Sequence, residues 1–131
     1  MKKGTLLNQP LSAVIAGMGH MDELVIADAG LPIPAGPQRI DLALTQGVPT
    51  FMATVQAVLS EFQIEGAVIA AEMLERSPDI AAALQAALGD VPIQTVPHDA
   101  FKARTARARA VVRTGEFTPY ANVILIAGVV F

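Results

Sequence analysis

The chain has no cysteine and no tryptophan, a single tyrosine and two histidines. Without cysteine there is no disulfide, no thiolate nucleophile and no zinc site of the cysteine type, and the composition suits a reducing compartment. Charge is also scarce. Only 16% of the 131 residues are charged, against about 25% in an ordinary soluble chain. A net charge of −3 and a pI near 5.2 weigh against nucleic acid as a partner. No stretch approaches the ~18 apolar residues of a membrane-spanning helix, and the longest runs from Val123 to Phe131. Lys2-Lys3 ahead of Leu11–Met18 faintly resembles a signal peptide, but Asn8-Gln9-Pro10 interrupts it and no small-x-small cleavage site closes it. The expected location is the cytoplasm.

Apolar residues are abundant, at 53%. A small domain with so little charge cannot cover its own surface, so self-association is expected. The length fits one domain spanning residues 1–131.

The pattern alternates between helix and strand. Asn8 caps a helix that carries Leu11, Val14, Ile15 and Met18 on one face and stops at Gly17 and Gly19. Glu23 to Ala27 reads as a buried strand. Ala29 to Gln38, with three prolines and two glycines, reads as a stiff loop. Thr50 opens a helix with Phe51, Val55, Val58, Leu59 and Phe62 inward. Ile64 to Ala71 is a strand, and Ser77-Pro78 starts a helix that runs to Leu88 and stops at Gly89. Val91–Val96, Ala110–Arg113 and Asn122–Ala127 are further strands, with a short helix over Asp99–Arg107. Strands apolar on both faces, alternating with helices, predict a three-layer α/β/α sandwich with a mostly parallel or mixed central sheet. An end as apolar as Val129-Val130-Phe131 is expected to be buried, against a neighbouring subunit if not its own core.

Few side chains can do chemistry. His20, in a Gly-x-Gly-His turn, suits an acid/base because imidazole titrates near neutrality; a helix-end cap stabilised by the dipole explains it equally well. Asp28 ends a buried strand, where carboxylates meet ligands, although a plain turn role accounts for it too. His98 sits at another strand end or helix start. Tyr120 and Asn122 are two apart, on one side of an extended segment, and offer the mixed donors and acceptors that sugar hydroxyls need. Asp22 and Glu23 read as solvated turn residues. Lys102, Arg104, Arg107, Arg109 and Arg113 read as a solvated basic face balancing Glu72, Glu75 and Asp79. No metal-ligand spacing and no nucleotide signature is present.

Met1-Lys-Lys-Gly-Thr5, Gly19-His20, Asp28-Ala-Gly-Leu-Pro-Ile-Pro34, Arg39–Pro49 and Tyr120-Ala-Asn122 with the tail together resemble the D-ribose pyranase family, related to the fucose mutarotases. Fucose mutarotases differ after the aspartate and after the tyrosine, so these segments favour the ribose branch. The resemblance covers nearly the whole chain. It implies an isomerase that interconverts pyranose and furanose D-ribose, without cofactor or metal, in a ring-like homo-oligomer, a pentamer or homodecamer. It implies His20 as the acid/base and Asp28, His98, Tyr120, Ala121 and Asn122 as sugar-binding positions. A non-catalytic sugar-binding accessory or sensor protein, or a mutarotase for another monosaccharide such as fucose, is the alternative. His20 separates catalysis from pure binding, which needs no titratable group.

Overall fold

The computed structural model describes residues 1–131. The elements follow in the order α1 (Gln9–Ala16), β1 (Glu23–Ala27), β2 (Gln38–Asp41), α2 (Phe51–Leu59), β3 (Ile64–Ala70), α3 (Ala71–Arg76), α4 (Pro78–Leu88), β4 (Ile93–Val96), α5 (His98–Thr105), β5 (Ala110–Arg113) and β6 (Val123–Ala127). One six-stranded sheet runs β2-β5-β1-β6-β3-β4. Five strands are parallel, and β6 alone runs against its neighbours β1 and β3.

Alternating side chains of the central strands feed two cores. Leu24, Ile26, Val112, Val123 and Leu125 face α1, α2 and α4, where Leu11, Phe51, Val55, Val58 and Leu84 meet them. Val25, Ala27, Val111 and Ile124 face the other way, onto Phe101 of α5. The result is the expected sandwich with a mixed sheet, lopsided toward the α2 side. All five residues of β1 are buried, which is why it reads as a continuous apolar run.

Local signals act largely as the sequence implies. The Asn8 side chain accepts the Leu11 N–H at 3.0 Å, and Thr50 accepts the Ala53 N–H at 3.1 Å. Ser77 precedes α4, but its hydroxyl donates away from that helix, to the Pro119 carbonyl. Two elements carry no sequence signal. β2 lies at a sheet edge with only Ile40 buried, so it has no apolar run. α3 starts directly at the end of β3 with no intervening turn, and Ala71 belongs to it rather than to the strand.

The tail divides. Val123 to Ala127 form a central strand, whereas Val129, Val130 and Phe131 are exposed, Phe131 completely.

Candidate active site

The carboxyl ends of the parallel strands converge on one edge of the sheet, and antiparallel β6 begins there. Asp28, just past β1, therefore meets Asn122, just before β6. The Asp28 N–H donates to Asn122 Oδ1 and Asn122 Nδ2 donates to Asp28 Oδ2, both at 2.9 Å. Asp28 Oδ1 accepts the Gly30 N–H at 2.9 Å. Asn122 and Ala121 are completely buried. The buried carboxamide thus fixes the carboxylate, and each carboxylate oxygen keeps a lone pair for a ligand.

Tyr120 stands at φ +62°, in the left-handed region. That costs a non-glycine residue about 1 kcal/mol and persists only where neighbours enforce it. Its ring and that of His98 stand edge to face, 5.0 Å between centroids, with the planes at 90°. His98 opens α5, and its N–H donates to the Glu72 carboxylate at 3.0 Å. His98 Nδ1 is buried and no protein group bonds it. Asp28, Gly30, Leu31, Arg76, His98 and Tyr120 line one cavity of about 340 Å³. Arg76 has no ion-pair partner, and nothing in the sequence marked it.

His20 lies elsewhere. It precedes β1, whereas Asp28 follows it, and a strand rises about 3.3 Å per residue. About 20 Å of sheet therefore separates them within one chain. The His20 side chain is 54% exposed, and its Nε2 lies 2.8 Å from Glu65 Oε2. A carboxylate only accepts, so Nε2 is the donor in this contact. His20 shares a cavity of about 470 Å³ with Gly128, Val129, Val130 and Phe131. Of the expected site residues, Asp28, His98, Tyr120, Ala121 and Asn122 come together, and His20 does not join them in a single chain.

The basic residues are not balanced by Glu72, Glu75 and Asp79. Arg104 and Arg107 both pair with Glu23, Arg109 with Asp22, Lys102 with Asp99, and Arg113 with Asp41. Glu23 is buried rather than a solvated turn residue. Burial pushes its carboxyl upward, but hydrogen bonds from Arg107 and Arg104 outweigh that and hold it below its ordinary value. The Arg109–Asp22 pairing follows from register: β5 lies beside β1, so Arg109, one residue before β5, reaches Asp22, one residue before β1.

Residues 1–130 match the RbsD / FucU transport protein family. The chain belongs to that family. A D-ribose pyranase from Symbiobacterium thermophilum is 59% identical over 131 residues, with 100% of both chains covered. The structure of Bacillus subtilis RbsD complexed with D-ribose matches with a TM-score of 0.97 at 45% identity over 100% of both chains. A fucose mutarotase from Streptococcus pneumoniae, in complex with L-fucose, matches at 0.81 and 25% identity, again over 100% of both chains. Within the family, this chain lies closer to the ribose-complexed protein than to the fucose-complexed one.

Proposed function

We propose that the chain is a D-ribose pyranase, an isomerase that interconverts the pyranose and furanose rings of D-ribose, with residues 1–131 acting as one domain. The observation that carries this is the agreement along the full chain, at a TM-score of 0.97, with a protein complexed with D-ribose. The Asp28–Asn122 pair with Tyr120 and His98 supports it, because this edge presents acceptors, donors and an aromatic face to a polyol.

Ring exchange needs one proton moved out and back. The anomeric hydroxyl loses a proton, the bond from the anomeric carbon to the ring oxygen breaks, and that oxygen is protonated. The aldehyde then rotates, a different hydroxyl adds to it while losing its proton, and the carbonyl oxygen is protonated again. No electron leaves the sugar. His20 supplies an imidazole that can both accept and return the proton, worth typically about 10²–10⁴-fold. Asp28 and Asn122 hold hydroxyls so that the open chain stays in a cyclisable shape.

Within one chain His20 cannot reach a sugar on Asp28. We therefore place each working site between two copies, one giving His20 and the other giving Asp28, His98, Tyr120, Ala121 and Asn122. The assembly is a ring-like homo-oligomer working in the cytoplasm, a setting that the absence of cysteine suits. NMR exchange spectroscopy on D-ribose with and without protein tests the activity. Acceleration lost in His20→Ala, with sugar binding largely kept, is the expected result; unaccelerated exchange by the wild type would overturn the reading.

A further inference from the structure

Tyr120 needs something to hold it in the left-handed region, and the loop before it carries an unassigned carboxylate. Glu116 Oε2 accepts the Phe51 N–H at 3.1 Å, at the start of α2. Its Oε1 accepts the Thr118 N–H at 3.1 Å and the Thr118 hydroxyl at 2.7 Å. The Glu116 carbonyl accepts the Ala29 N–H at 2.8 Å, one residue past Asp28. Gly115 presses this turn against the loop below it, where a Cβ would collide with the carbonyls of Thr45 and Val48. Beyond Thr118, the Ser77 hydroxyl donates to the Pro119 carbonyl and the Asn122 N–H donates to the Tyr120 carbonyl at 2.8 Å. The Glu116 carboxylate thus ties the first turn of α2 to the turn that bears Tyr120, while its backbone carbonyl holds the loop after β1 that bears Asp28.

We infer that the Glu116 side chain is a positioning group, which sets Tyr120 against His98 by pinning the turn before Tyr120 to the start of α2. Its two carboxylate oxygens are taken up by Phe51 and Thr118. Three donors converge on its two oxygens, so the site requires an acceptor on both sides. A carboxylate supplies that, and a carboxamide does not. In Glu116→Gln either the Phe51 N–H or the Thr118 N–H must face an NH₂ group and goes unsatisfied.

The chain supplies its own probe. With no tryptophan and one tyrosine, near-ultraviolet circular dichroism in the tyrosine band reports Tyr120 alone. Glu116→Gln is expected to lose at least half of that signal at unchanged far-ultraviolet dichroism. Its kcat/KM for ribose ring exchange should fall about tenfold, mainly through KM, equivalent to ~1.4 kcal/mol. Thr118→Val, which removes one donor and leaves the α2 contact, should shift the signal the same way by less. If Glu116→Gln does not fold, Thr118→Val carries the test alone. An unchanged tyrosine signal in the folded variant overturns the inference, even if the melting temperature drops. The kinetic arm rests on the ribose reading and the spectroscopic arm does not. A lost tyrosine signal with an inactive wild type would therefore support the positioning role while sinking the pyranase assignment.

Discussion

Mixing two inactive variants should restore activity. In the proposed interchain site, His20→Ala removes the acid/base half and Asp28→Ala the sugar-holding half. The two residues lie at opposite ends of β1, about 20 Å apart at the rise of a β-strand, so no single chain can join them at one sugar. In an assembly built from equal parts of both variants, half of the His20 positions and half of the Asp28 positions are intact. Independent draws make about one quarter of the interchain sites complete. Ring exchange in the mixture should therefore recover to about 25% of wild type, once the uncatalysed rate is subtracted. The assay is NMR exchange on D-ribose after subunits have been scrambled by mild denaturant and refolding, with native mass spectrometry confirming mixed assemblies. A site contained in one chain yields no recovery, because every chain then lacks one half. Confirmed mixing with no activity above the separate variants would refute the interchain site. A His20→Ala protein that keeps most of its rate would remove the acid/base role directly.

Asn122→Ala should cost about 2 kcal/mol in urea denaturation, because it orphans the buried Asp28 N–H and frees the Asp28 carboxylate to turn; a loss within error would mean water replaces the carboxamide. Asp22 is held below the ordinary carboxylate range by the Gly19 N–H and Arg109, and Glu116 by bonds from Thr118 and Phe51 that outweigh the upward push of burial. Groups lowered on folding stabilise above their unfolded values of about 4 and lose that contribution as pH falls through the lower folded values. Urea midpoints should thus be flat down to about pH 5 and drop steeply below 4, and constant stability down to pH 3 would contradict the pairing. Deleting Val129-Val130-Phe131 removes exposed side chains beyond the last bond of β6, so each protomer should keep its fold. Sedimentation should show a looser assembly and ribose exchange should fall with it; an intact, fully active oligomer would show that the tail makes no contact.

The sequence carries the buried half of this protein well and the exposed half poorly. β1, β3 and β6 announce themselves because both faces are apolar. β2 does not, because at the edge its Gln38, Arg39 and Asp41 face water. Asp28, His98, Tyr120 and Asn122 draw notice because each stands at or beside a strand end, whereas Ala121, and the grouping of all five around a sugar, rest on the family resemblance alone. That β6 runs antiparallel is not legible, although it alone puts Asn122 beside Asp28. Glu23 was hidden by its charge: beside Asp22 it looks solvated, and only the β1–β5 pairing brings Arg104 and Arg107 onto it. Glu65 and Glu116 had no signal, since their partners are 45 and 65 residues away for His20 and Phe51.

The direction of β6 also constrains the assembly. Because it runs against β1, its start builds the Asp28 end while its exit, Gly128 onward, lies beside His20. With the proposed site shared between copies, each chain carries two half-sites at opposite ends of the same pair of strands, and neither half completes the other. An open head-to-tail row would leave an unused half at each terminus and would keep growing, since each end still offers the complement the next copy needs. A closed arrangement uses every half-site and stops. On this reading closure is a catalytic requirement as well as an architectural one. Activity per chain should fall on dilution in step with dissociation, whereas a site complete within one chain would keep its specific activity at any concentration.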